Sequence, residues 1–187
     1  SSNGLEIPVD AGICGRTQSR HVFVCAFEHN DDLTSPQLLS WLRRQARKGA
    51  MLGALGNGAA VLIKAGVVGA RKFTLHWSLT SGFCERHPEQ TPVSQIFTSE
   101  NGLMTSAGGR ATPDMMLTLI GNDFDEELVA KVADHLLSGA QRQPNTEQRL
   151  SRVHRYGTRD EKFLSIMETL EADVHFEMKV DDILAKH

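Results

Sequence analysis

Seventeen consecutive residues, 50–66 (AMLGALGNGAAVLIKAG), restrict the possible folds of this chain more than any other stretch. Ala50 to Leu55 is a short apolar run of the kind that forms a strand buried on both faces. It passes directly into Gly56-Asn57-Gly58 and then into Ala59–Ala65, an apolar helix closed by Gly66. Buried strand, glycine turn and helix together make one unit of a layered α/β domain.

The flanks extend that pattern. His21–Phe27 (HVFVCAF) predicts a second buried, parallel strand. Thr34 and Gln37 have capping-box spacing, and Pro36 suits a first helical turn. Leu38, Leu39, Trp41, Leu42 and Ala46 then supply one apolar face. Arg43, Arg44, Arg47 and Lys48 load the C-terminal end, where the helix dipole favours cations, and Gly49 follows. Phe73–Trp77 reads as a strand and Leu79–Arg86 as a helix. Glu100-Asn101-Gly102 signals a hairpin between 93–98 and 103–106. Helices are predicted from Thr112 to Ile120, with Met115, Met116 and Leu117 in the core, and from Asp125 to Gly139. The second presents Leu128, Val129, Val132, Ala133, Leu136 and Leu137 on one face. Leu5–Val9 alternates like an edge strand. Beyond Ser138 the character changes. Residues 142–159 carry five arginines and one glutamate, and Thr158–Glu161 is a second capping-box spacing ahead of two further helices.

Composition narrows the class. Of 187 residues 40% are apolar, enough for a core, and 20 Lys+Arg against 23 Asp+Glu leave a net charge of −3. A uniformly basic nucleic-acid binder is excluded, although a local basic patch is not. No apolar run approaches the length of a membrane span, and no secretory signal pattern is evident. Cys14, Cys25 and Cys84 form no CxxC pair, which argues against a disulfide scaffold or a cysteine-type metal site. A cytoplasmic protein is expected, with no metal and no cofactor.

Three blocks together carry a resemblance: Gly53–Gly66, Thr74-Leu75-His76-Trp77, and Met104-Thr105-Ser106-Ala107-Gly108-Gly109 followed by Asp114 and the 115–120 helix. The chain resembles the GlxA-type transcriptional regulators of the AraC/XylS class. The resemblance implies an α/β, three-layer sandwich with a mainly parallel sheet. That is the class I glutamine amidotransferase-like fold of the PfpI superfamily, here followed by a short helical tail. It implies a ligand-sensing domain over 1–141, a basic linker over 142–159, and the opening helices of an AraC-type DNA-binding domain over 160–187. Family members usually carry a β-α-β unit ahead of the segment matching Ser1-Ser2-Asn3-Gly4, so a fragment without that unit and without recognition helices is expected. Its partners would be a small-molecule effector, a second copy of the chain, and DNA contacted through the full-length protein rather than through this fragment.

In catalytic relatives of that superfamily the strand–helix turn carries a cysteine nucleophile. Aligning Gly58-Ala59 with the pattern puts Gly56 there, and glycine cannot form a covalent intermediate. Cys14 and Cys84 read as loop or helix residues, and Cys25 as a small core residue. The turn has two readings. The N–H groups of Gly56, Asn57 and Gly58 suit a carboxylate at a helix start, or the glycines merely permit tight packing. His76 is a hydrogen-bonding pocket residue or a structural strand histidine. Trp77 is a pocket wall or core. As a wall it would hold a quaternary ammonium by cation–π attraction of roughly 0.5–2 kcal/mol. Ser106, Ala107 and Gly108 line the same pocket or allow close backbone approach. Arg149, Arg152, Arg155 and Arg159 contact phosphates or form a solvated linker face. The expected function is non-catalytic sensing of an amino acid or a betaine-like zwitterion. The alternatives are a hydrolase or amidotransferase-like enzyme using a His76-activated water, and a pure dimerisation module.

Overall fold

The structure, a computed structural model, describes residues 6–13, 18–26, 34–173 and 178–186. Four strands form one sheet: β1 (His21–Ala26), β2 (Met51–Gly56), β3 (Phe97–Glu100) and β4 (Leu103–Ser106), in the order β1-β2-β4-β3. β1–β2 and β2–β4 are parallel, and β3–β4 is an antiparallel hairpin. Its turn places Asn101 at φ 45° and Gly102 at φ 76°, the two left-handed residues that a type I′ turn requires.

Strand alternation sorts the core into two layers. Val22, Leu52, Ala54 and Leu103 pack on one side. Helix α1 (Pro36–Arg47) brings Leu42 to that layer and α2 (Gly58–Lys64) brings Ala59 and Leu62. Helix α3 (Trp77–Arg86) adds Phe83 and Cys84. Phe23, Met51, Leu55 and Met104 pack on the other side against Ala111, Met115 and Leu119 of α4 (Ala111–Asp123). Leu42, Leu52, Leu62 and Met115 are fully enclosed, each worth about 1.5–3 kcal/mol of burial. The expected α/β sandwich with a mainly parallel sheet is therefore present. Ala26, Gly56 and Ser106 end three neighbouring strands, and the register aligns Ala26 with Gly56 and Leu55 with Ser106.

Several local expectations fail. Glu6–Val9 form no strand, with Ile7 and Val9 largely exposed, while Leu5 lies outside the described residues. β1 pairs as expected but is the outer strand of the described sheet, and Cys25 is exposed rather than core. Ser35, not Thr34, caps α1, its hydroxyl accepting from the Leu38 N–H at 3.2 Å. Phe73–Leu75 does not join the sheet as a strand. The Thr74 N–H donates to the Thr105 hydroxyl at 2.8 Å instead of to a ladder carbonyl, and Trp77 already begins α3. In α5 (Glu126–His135), capped by Asp125 as expected, only Val129 is buried. Leu136 and Leu137 fall beyond the helix and are exposed, because Leu137 turns the chain at φ 51°. The tail forms α6 (Arg152–Tyr156), α7 (Glu161–Ala172) and α8 (Val180–Lys186). Asp160, not Thr158, caps α7. Among the described residues no helix is long and apolar enough to cross a membrane.

Candidate functional site

The β2–α2 turn is a sharp elbow at the carboxyl edge of the parallel strands, where open α/β sheets bind ligands. Gly56 adopts φ 61°, and a Cβ there would stand 2.7 Å from the Ala26 carbonyl oxygen. A Cβ at Gly58 would stand 2.1 Å from the Val24 carbonyl oxygen. Both glycines are thus required by close approach of β1, and Gly56 also by its left-handed backbone. The packing reading of the glycines holds whatever else the turn does. The Asn57 N–H donates to the Ala26 carbonyl at 2.7 Å, so an anion at this turn would compete with β1 for that donor.

The loop after β4 closes on the elbow. Gly108, at φ 93°, approaches so closely that its Cβ would lie 3.5 Å from the Gly56 Cα. Ser106 is fully buried. Its hydroxyl accepts from the Gly108 N–H at 3.1 Å and lies 3.2 Å from the Thr112 hydroxyl. The Ala107 N–H donates to the Ile96 carbonyl at 2.9 Å. Gly56 and Gly108 are therefore brought together, while the Ser106 and Ala107 polar groups are committed to holding the loop.

His76 and Trp77 lie two and three residues beyond Thr74, which is tied to β4. His76 is the N-cap of α3: its Nδ1 accepts from the Ser78 N–H at 3.3 Å and lies 2.7 Å from the Ser78 hydroxyl. A capping role explains this histidine locally. Trp77 is 47% exposed and is not core. The Arg149 guanidinium carbon stands over its ring, 4.5 Å from the centroid. The Trp77 N–H donates to Gln148 Oε1 at 2.8 Å. Gln148 Nε2 in turn faces the Thr74 hydroxyl and the carbonyls of Leu75 and Gln95 at 2.8–2.9 Å. No sequence signal marks Gln148. Its role depends on a contact across more than 70 residues.

Three of the four linker arginines, Arg149, Arg152 and Arg155, gather on one carboxylate rather than forming a purely solvated face, while Arg159 is exposed. Glu171 of α7 accepts from Arg149 at 3.2 Å, Arg152 at 3.0 Å, Arg155 at 2.7 Å and the Tyr156 hydroxyl at 2.8 Å. The Arg155 hydrogen bonds, with those of Tyr156 and Arg152, hold the Glu171 carboxyl down at about 2 against the cost of its burial. The same bond to Glu171 pushes the Tyr156 phenol up. Arg142 donates from its backbone N–H and its guanidinium to the buried Asp114 of α4, at 2.7–3.0 Å.

Partial desolvation by its neighbours at the exposed Cys25 and burial at Cys84 push both thiols up, the opposite of what an activated nucleophile needs, and Cys14 lies outside the described residues. Among the described residues no group of three or more His, Cys, Asp or Glu could hold a metal. An open cleft of about 310 Å³ lies at the opposite edge of the sheet, beside His21, Met51 and Leu103. There Asp123 pairs with Arg20 at 3.0 Å and meets His21 at 3.2 Å.

The sequence profile of the DJ-1/PfpI family matches residues 2–122, which span the sheet, the elbow and α4. The chain belongs to the DJ-1/PfpI family. Relatives of this DJ-1/PfpI protein include the HTH-type transcriptional regulator GlxA of Rhizobium meliloti. It is 33% identical over 176 residues, which cover 93% of this chain and 54% of GlxA. The HTH-type transcriptional regulator CdhR of Pseudomonas aeruginosa is 31% identical over 171 residues, 91% of this chain and 51% of CdhR. The chain spans about half the length of these curated relatives. The crystal structure of an AraC family transcriptional regulator from Pseudomonas putida superposes with a TM-score of 0.63 at 25% identity, covering 73% of this chain and 74% of that one. A THiJ/PfpI family protein from Pseudomonas syringae shares the fold, with a TM-score of 0.61 at 18% identity over 98% of this chain and 72% of that one. The expected kinship with GlxA-type regulators holds.

Proposed function

We propose that this chain is the effector-sensing part of a DNA-binding transcriptional regulator and that it binds a small zwitterion, an amino acid or a betaine-like molecule, without catalysis. Residues 1–141 form the sensing domain, 142–159 the linker, and 160–187 the first helices of the DNA-reading unit. The ligand sits at the carboxyl edge of the sheet among Gly56, Asn57, Gly58, His76, Trp77, Ser106, Ala107 and Gly108. Its cationic end faces Trp77. DNA binding belongs to the full-length protein, which acts as a cytoplasmic homodimer.

The elbow carries the reading. Its turn has the left-handed residue that lifts a nucleophile above a sheet, but that residue is Gly56, and the Ala26 carbonyl fills the space a side chain would need. The raised thiols of Cys25 and Cys84 support the absence of covalent chemistry. The regulator names of GlxA and CdhR support sensing as what the pocket does instead.

Thermal-shift screening against amino acids, betaines and polyamines tests this. A true ligand at 100 times its dissociation constant adds about 2.7 kcal/mol of stability. Peptidase, esterase and glutaminase assays run in parallel with and without a thiol alkylating agent. No turnover is expected, and turnover abolished by alkylation would overturn the reading.

A further inference from the structure

We propose that Arg149 is a built-in occupant of the Trp77 cation seat, and that its displacement by an external organic cation unlatches the linker and α7 from the sensing domain. This rests on the sensing reading above and deepens it, because it states how occupancy at Trp77 reaches the tail.

Three observations converge. First, the exposed Trp77 ring already holds a cation, with the Arg149 guanidinium carbon 4.5 Å from its centroid. A ring face that accepts a guanidinium accepts a quaternary ammonium by the same quadrupole attraction, and the two cannot share one face. Second, the Arg149 guanidinium makes two contacts at once. It stacks on Trp77 and donates to Glu171 of α7 at 3.2 Å, and Glu171 also gathers Arg152, Arg155 and Tyr156. The contact thus runs from the first residue of α3 through the linker into α7. Third, the adjacent Gln148 receives the Trp77 N–H and donates toward Thr74, Leu75 and Gln95. The Ile96 N–H donates to the Thr146 carbonyl at 3.1 Å, so the linker approaches as a strap over residues 95–96.

Displacement therefore costs the strap its stacking contact and leaves only Gln148 and the Ile96–Thr146 bond, of the contacts named here, to hold it to the sensing domain. A ligand that prefers the seat without Arg149 shifts the population toward the released strap, and by linkage the released strap binds that ligand more tightly. Loss of Arg149 should accordingly do two things that usually oppose each other: loosen the tail and tighten binding of a cation.

Hydrogen exchange on the 187-residue chain tests the latch without any ligand. Arg149→Gln and Trp77→Leu should each raise exchange at amides 146–156 at least fivefold. The double variant should go no further than Arg149→Gln alone, since that variant removes both the stacking contact and the Glu171 hydrogen bond, and Trp77→Leu removes only the former. Additive effects, or none, would overturn the latch. Tetramethylammonium chloride at 200 mM, against sodium chloride of equal ionic strength, tests the displacement. It should raise exchange at 146–156 in the wild type and not in Trp77→Leu, and Arg149→Gln should bind it at least threefold more tightly by tryptophan fluorescence, with Trp77→Leu as the blank. A latch that passes the first test but ignores tetramethylammonium overturns the displacement step. If both tests succeed while the metabolite screen finds nothing, the latch stands and the zwitterion reading falls.

Discussion

The β2–α2 elbow and the Glu171 cluster are both junctions between elements, and they are held by opposite physics. At the elbow there is no room. Gly56 and Gly58 let backbone meet backbone, and a methyl group would stand within 3 Å of a β1 carbonyl at either position. At the cluster the packing is loose, and charge does the holding: three arginines and a tyrosine converge on one carboxylate. Shape is indifferent to salt and acid, and charge is not. The chain thus joins a rigid sheet edge to a tail that solution conditions can loosen.

The elbow should give the largest effect. Gly58→Ala forces a Cβ to within 2.1 Å of the Val24 carbonyl, and we expect a loss of about 3 kcal/mol, seen as a lower urea midpoint at unchanged slope. A loss below about 1 kcal/mol would show that β1 yields, and that the junction is softer than its geometry. Gly56→Ala adds a left-handed non-glycine residue to a 2.7 Å approach and should cost about 2 kcal/mol by the same measurement. Neither loss should change between 0.05 and 0.5 M sodium chloride.

Glu171→Gln should act locally. Amides of α6 and α7 should exchange at least tenfold faster, a local loss of about 1.4 kcal/mol or more, while protection in β2 and α2 stays as in the wild type. The difference should shrink in 0.5 M salt, where these partly exposed pairs are screened. An equal loss of protection in β2 would mean that the tail is part of the core rather than an appendage.

Acid gives the smallest and most specific effect. The Glu171 carboxyl titrates at about 2 in the folded chain against an ordinary 4.5. A depressed carboxylate stabilises fully above its unfolded value and ceases to as pH falls through its folded one. Protection of α6 and α7 should therefore hold above about pH 4.5 and fall progressively toward pH 2. In Glu171→Gln that part of the profile should be flat, and a wild-type loss already complete at pH 5 would point to another group.

Much of this was legible in the sequence, and the exceptions share a cause. Residues 50–66 announced strand, turn and helix, and Glu100-Asn101-Gly102 announced its hairpin, because each is decided by local backbone preference and periodicity. Phe73–Trp77 misled for the same reason: its composition suits a strand, but the hydroxyl of Thr105, distant in sequence, takes the hydrogen bond a ladder would have used. Cys25 has a core residue's chemistry and an outer strand's exposure. The basic linker reads as a solvated run until Glu171, 16 to 22 residues on, is folded back against it.

By itself the sequence determined the α/β layering, the parallel strands, the glycine elbow and the kinship with GlxA-type regulators. These follow from the order of apolar runs and turn residues, which act over a few neighbours at a time. Only the tertiary structure decided that Gly58 is fixed by the Val24 carbonyl, that His76 caps a helix, and that Arg149 lies on Trp77. Those are contacts between residues that periodicity does not relate. Their energies exist only once the chain has brought a carbonyl, a ring or a carboxylate within a few ångströms.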